Sequence, residues 1–179
     1  LVRDNLGKYG FYVIMPHFNE DVAGIIKVIP PEKLLIIDKP VDNLRGDYCA
    51  VYQNFRDDMY NSLAKALARI SRYSRFSMIS NRNFQFIPDG MEQGFLEFCA
   101  GKGLDHRIIP NIRSFTPSKG ELYLAVSDED LIGLIRTCIK RKWKPGKDIG
   151  IISYDDTPLK SILAGGITVI TTDFRKMGI

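Results

Sequence analysis

The sequence predicts an α/β protein built on parallel sheet. Three observations carry that reading. Short, β-branched apolar runs recur along the chain, a polar residue or carboxylate stands at the end of most of them, and amphipathic helical segments alternate with them. The run from Asp148 to Leu159 sets the pattern: Ile149-Gly150-Ile151-Ile152 is apolar and too short for a helix, and it stops at Asp155-Asp156-Thr157-Pro158. A strand buried on both faces of a parallel sheet reads this way. Ligands of open α/β sheets sit at the carboxyl ends of the strands. Tyr154, Asp155 and Asp156 are therefore read as the floor or wall of a binding site.

Taken in order, Phe11–Met15 predicts the first strand, with His17 and Asn19 in its tip loop. Asn19 is expected to cap a helix carrying Val22, Ile25 and Ile26, stopped by Pro30-Pro31. Leu34–Ile37 is the next strand, with Asp38 at its tip, and Ala50–Tyr52 is a short one. Gln53-Asn54 opens one helix with Met59, Leu63, Leu67 and Ile70 on its apolar face. Arg69, Arg72 and Arg75 follow and are read as a solvated helix end rather than a phosphate site. Phe76–Ser80 is a strand with a polar tip at Asn81–Gln85. Asp89 is expected to cap a helix that turns Met91, Phe95, Phe98 and Cys99 inward and closes at Gly101-Lys102-Gly103. Glu121–Val126 is a strand, and Ser127-Asp128-Glu129-Asp130 is a capping-box-like start for a helix with Leu131, Leu134, Ile135 and Cys138 on one face. Ile167–Thr171 supplies the last strand. Alternation of this kind means a parallel sheet covered by helices.

Bulk properties exclude some classes and leave others open. The 179 residues are enough for a real core, and 45% hydrophobic with 26% charged residues is ordinary for a globular chain. A net charge of +4 gives no reason by itself to invoke nucleic acid. Cys49, Cys99 and Cys138 are widely separated and lie in apolar segments, which predicts buried, reduced thiols and no metal. No apolar run approaches the roughly 18 residues of a membrane span, and no signal peptide opens the chain. Leu1–Gly7 reads as the last turns of a helix closed by glycine, as in a piece of something longer.

Parallel strands bring all their carboxyl tips to one edge, so His17, Asn19, Asp38, Asn81, Arg82, Ser127, Asp128, Asp155 and Asp156 share a location as well as a polarity. They form no catalytic set. There is no nucleophile elbow, no phosphate-binding glycine loop and no histidine pair. Adjacent carboxylates on an extended chain point to opposite sides, so Asp155 is better suited to accepting hydrogen bonds from neighbouring hydroxyls. The residues alone describe a binding module for a small polar ligand, ahead of an enzyme.

The segment Asp148-Ile149-Gly150-Ile151-Ile152-Ser153-Tyr154-Asp155-Asp156 resembles the signature of the LacI/GalR effector-binding domain. Leu35-Ile36-Ile37-Asp38 is similar to that family's strand ending in a sugar-contacting aspartate. Phe76-Ser77-Met78-Ile79, Gly94-Phe95 and Ala125-Val126-Ser127-Asp128 resemble further family segments. The ending, Gly166 to Gly178, and the short link over 116–120 are closer to regulators that join a GntR-type winged helix to this domain.

The resemblance implies two doubly wound parallel-sheet lobes of the periplasmic-binding-protein-like type, with a small molecule in the cleft. Residues 1–52 would form an incomplete N-terminal lobe, which leaves sheet uncovered, 53–167 the C-terminal lobe, and 168–179 a strand crossing back. It implies ligand contacts at Asp38, Tyr52, Gln53, Ser127 and Asp155. An arginine that many sugar-responsive members carry is Met91 here, and Arg82 is the candidate replacement for its donor fork. The expected function is that of a cytoplasmic transcriptional regulator, a repressor. It senses a sugar or similar effector, needs no cofactor, forms a homodimer, and binds a DNA operator through a headpiece outside this chain. A periplasmic sugar-binding protein and a flavodoxin-like enzyme are the alternatives.

Overall fold

The computed structural model describes residues 2–16, 21–82 and 87–178. His17, Asn19 and most of the Asn81–Gln85 loop lie outside the described residues. The chain divides into two compact units, Leu1–Gln53 with Asp173–Ile179, and Asn54–Thr172.

The first unit holds a parallel three-stranded sheet in the order β1 (Tyr12–Ile14), β2 (Leu34–Asp38), β3 (Cys49–Tyr52). Helix α1 (Val22–Ile26) supplies Ile26 to a small core with Ile29, Leu34 and Ile36. Asp21 caps α1 by accepting a hydrogen bond from the Gly24 amide at 2.8 Å. Phe11, Val13 and Met15 alternate on one side of β1 and are exposed. A short helix over Phe174–Met177, capped by Asp173, belongs to the same unit.

The second unit is a five-stranded parallel sheet. Its strands are β4 (Phe76–Ile79), β5 (His106–Ile109), β6 (Leu122–Ala125), β7 (Gly150–Tyr154) and β8 (Thr168–Ile170), arranged β5-β4-β6-β7-β8. The expected closing segment thus begins inside this sheet, with β8 paired to β7. Strands β4, β6 and β7 are buried throughout. Alternate residues serve opposite faces: Leu122 and Leu124 pack with α2 (Phe55–Lys65) and α4 (Asp89–Gly101), Tyr123 and Ala125 with α5 (Asp128–Arg141). That two-sided burial is why these strands read as continuous apolar runs.

Four expectations need correction. The helix opened at Gln53-Asn54 is two helices, α2 and α3 (Leu67–Ile70), because Ala66 tightens the turn, its N–H bonding the Leu63 carbonyl at 3.0 Å. Asp89 is the first residue of α4 rather than its cap, and its carboxylate pairs with Arg82 instead. Cys49 is exposed, since it lies on the edge strand β3; Cys99 and Cys138 are buried, and all three are free. Strand β5 was not expected, because His106 and Arg107 break the apolar signal; an edge position tolerates them.

Helices α2 and α4 approach closest at Gly94, where a Cβ would lie 2.3 Å from the Arg56 carbonyl oxygen and 3.1 Å from the Met59 Cβ. Gly94→Ala should therefore destabilise the second unit by about 1–3 kcal/mol through overpacking. Urea unfolding of the variant measures this, and an unchanged midpoint would mean that the helix pair is loosely packed.

Candidate functional site

In the first unit, register places Asp38 beside Tyr52 at the carboxyl ends of β2 and β3. The Gln53 side-chain amide donates to Asp38 Oδ1 at 2.6 Å, and the Gln53 backbone N–H donates to the Asp38 carbonyl at 2.9 Å. Asp38 has φ +79°, a left-handed conformation that aspartate tolerates better than most residues. Tyr52 is 57% exposed, so its ring face is open to a ligand. Three expected site residues thus meet at one edge.

In the second unit, pairing of Ile79 with Ala125, and of Ala125 with Ser153, aligns the tips of β4, β6 and β7. Among the described residues, five buried polar side chains gather there: Ser80, Asn81, Ser127, Asp130 and Lys160. Most are tied into the scaffold. Ser127 caps α5, its Oγ accepting from the Asp130 N–H at 3.1 Å and donating to Asp130 Oδ2 at 2.6 Å. The other Asp130 oxygen accepts from the Ile112 amide at 2.8 Å. Ser127 therefore shapes the β6 tip from a buried position.

Beyond β7 the chain turns at Asp155, with φ +60°, where its N–H donates to the Ile170 carbonyl at 2.8 Å while its side chain stays exposed. Tyr154 is buried against the α2/α4 face of the sheet, so it is core rather than the wall of a site. Lys160 lies in the short helix α6 (Pro158–Ile162) and is only 3% exposed. Its Nζ donates to the carbonyls of Tyr154 at 2.6 Å and Asp155 at 2.9 Å, and meets the Asp128 carboxylate at 2.9 Å. It thereby ties the tips of β6 and β7 together. A buried ammonium is costly unless its donors are satisfied, and here three acceptors do so.

Arg82 is held at the start of α4. It reaches Asp89 at 2.7 Å and Glu92 at 2.9 Å. This guanidinium holds the Glu92 carboxyl below the usual carboxylate range, against the opposing effect of partial burial, and Ser80 adds a short hydrogen bond to the same carboxylate. The donor fork proposed as a ligand contact is thus pre-paired with two acids. Next to it, Asn81 is 4% exposed, and its side-chain amide makes no hydrogen bond among the described residues. Among the described residues no buried side-chain nitrogen or oxygen lacks a partner, so the Asn81 amide reaches solvent, and a ligand or water can meet it from there. Sequence reading placed Asn81 at a tip without separating it from ordinary turn formers. Lys160 left no signal at all, since a lysine in a short helix reads as solvated.

Among the described residues, no group of three His, Cys, Asp or Glu side chains could hold a metal ion, and no helix is long and apolar enough to cross a membrane.

No family model matches the chain, and no curated protein matches it in sequence. Solved structures do match in fold. A regulatory protein of the LacI family from Chloroflexus aggregans is 15% identical with a TM-score of 0.76, over 98% of this chain and 68% of the other. A LacI-family transcriptional regulator from Lactobacillus casei with bound glucose is 14% identical, TM-score 0.69, over 95% and 68%. The lac repressor dimer bound to operator and an anti-inducer is 16% identical, TM-score 0.71, over 99% and 57%. The chain thus spans between about half and two thirds of these proteins and shares the α/β, parallel-sheet fold of LacI-family effector-binding domains. None of the three is a GntR-type regulator, so the winged-helix expectation draws no support from them.

Proposed function

We propose that the chain is the ligand-sensing part of a LacI/GalR-type transcriptional regulator, a repressor, and that it takes a monosaccharide or related small polar effector at its strand tips. The observation that carries this reading is the tip edge of the second unit. There the solvent-reached amide of the otherwise buried Asn81 accompanies an exposed Asp155 carboxylate on a braced backbone. Such a set suits a polyol. The carboxylate accepts from ligand hydroxyls, and the carboxamide both donates and accepts. In the first unit, considered by itself, Asp38 with Gln53 offers an oriented acceptor and donor beside the exposed Tyr52 ring. Arg82 stands beside the tip edge of the second unit with its charge balanced by Asp89 and Glu92, and Ser127 acts through the backbone it caps. The sugar-bound structures of similar fold support the ligand class.

By the same reading the protein is a sensor, not an enzyme, and acts in the cytoplasm as a homodimer. It reaches a DNA operator through a headpiece outside this chain, as the operator-bound relative of similar fold suggests. The effector regulates only through unequal affinity for two states of the protein.

A thermal-shift panel of pentoses, hexoses, deoxyhexoses and their phosphates tests the reading. A true effector at ~100 times its Kd should add about 2.7 kcal/mol of stability. Asp155→Ala should lower its affinity by roughly tenfold or more, the worth of a charge-assisted hydrogen bond. A folded chain that responds to no sugar in the panel would sink the assignment.

A further inference from the structure

A pocket lies at the opposite end of the same strands from the candidate site. Within the second unit, a cavity of about 230 Å³ opens beside Leu122, Gly150 and Thr168, near the amino-terminal starts of β6, β7 and β8. Its floor is apolar, with Ile70, Tyr73 and Ile151 contributing. Gly150 makes room for the Tyr73 ring, because a Cβ there would meet that ring at 2.6 Å. A neighbouring cavity of about 280 Å³ shares Ala66, Ile152 and Thr168 with the first, so the two form one groove running along the edge strand β8.

The rim of this groove is basic. Arg69 and Arg72 line the first cavity, and Lys65 lines the second. All three therefore stand at the rim of the one groove, from the end of α2 to just past α3. Most other arginines of the unit have partners: Arg56, Arg75, Arg82, Arg107 and Arg113 meet carboxylates, and Arg141 lies over the Trp143 ring. Arg69 and Arg72 have no carboxylate partner among the described residues. Of the three arginines that read from sequence as one solvated helix end, only Arg75 is neutralised, by Asp105 and Glu121.

We infer that this groove binds an amphiphilic anion, with its carboxylate or phosphate on Arg69 and Arg72 and its apolar body against Ile70, Tyr73 and Ile151. Two unpaired guanidinium groups are suited to a planar or tetrahedral oxyanion. An apolar floor of this size contributes through burial of a short chain or ring. The site is separate from the strand-tip edge and does not depend on the sugar reading.

Isothermal titration of the 179-residue chain with octanoate and with octyl phosphate tests the proposal, with octyl glucoside as the neutral probe of equal tail and inorganic phosphate as the headgroup alone. One octyl anion should bind per chain, at least roughly tenfold tighter than either control, and more weakly as salt is raised. The surface variant Arg69→Gln/Arg72→Gln should lose roughly tenfold in affinity while keeping its melting temperature. Ala66→Leu, which fills the wall shared by both cavities, should weaken binding of the tail. Whichever octyl anion binds identifies the headgroup. Binding of neither anion, equal binding of octyl glucoside, or an affinity unchanged by removing both guanidinium groups would overturn the proposal.

Discussion

Lys160→Met should cost the second unit about 2–4 kcal/mol, although methionine keeps nearly all of the aliphatic stem. The loss comes from the two carbonyls at the β7 tip. Lys160 Nζ is the donor to Tyr154 at 2.6 Å and to Asp155 at 2.9 Å; losing the donor to the buried Tyr154 carbonyl costs about 1–3 kcal/mol, and to the part-buried Asp155 carbonyl less. Relief of the lysine's own desolvation offsets part of that cost. Asp128, the third partner, is 63% exposed and falls back on water, so it adds little. Equilibrium unfolding gives the total. Amide exchange at Asp155 and Asp130 locates it, because the released tip should open before the sheet does. Unchanged stability with unchanged exchange would show that water replaces the ammonium and that the tips of β6 and β7 hold themselves.

Phe95→Ala should cost more, about 3–5 kcal/mol. The Phe95 side chain is fully buried, and its ring meets the Phe76 ring edge-on at 4.9 Å between centroids, joining α4 to the interior strand β4. Tight packing of α2 on α4 at Gly94, one residue earlier, leaves the helix little freedom to collapse into the vacated space. A denaturant midpoint shift at constant slope measures the effect. A cost below about 1 kcal/mol would mean that the helix moves in after all.

How legible each part was depended on how far its environment could be inferred from its neighbours in sequence. Strands β4, β6 and β7 were plain, because burial on both faces forces unbroken apolar runs. The start of α5 was plain too, since Ser127 followed three residues later by an acid is a capping pattern, and both groups do bond there. Strand β5 was hidden because an edge strand pairs on one side only and can carry His106 and Arg107. The break at Ala66 was hidden because nothing in alanine's propensity signals it. At the candidate site, Asp38, Tyr52 and Gln53 were found through a resemblance, and the structure places them together. Asn81 and Lys160 could not be separated from solvated residues, because their burial is created by strands and helices distant in sequence.

Asp38 and Asp155 share one further property. Both sit in left-handed backbone, with φ of +79° and +60°. β-Branched and bulky side chains are strongly disfavoured there, while asparagine, aspartate and glycine are tolerated. The fold therefore restricts the alphabet at these two positions before any ligand is considered. Drift toward a new ligand would pass most easily through an acid, its amide or no side chain at all. Each such step changes what that strand tip can accept or donate and leaves the turn intact. Ligand preference at each of these two strand tips is thus open to change by single substitutions that the scaffold survives, whereas the buried Ser127, Asp130 and Lys160 of the second unit are not replaceable one at a time.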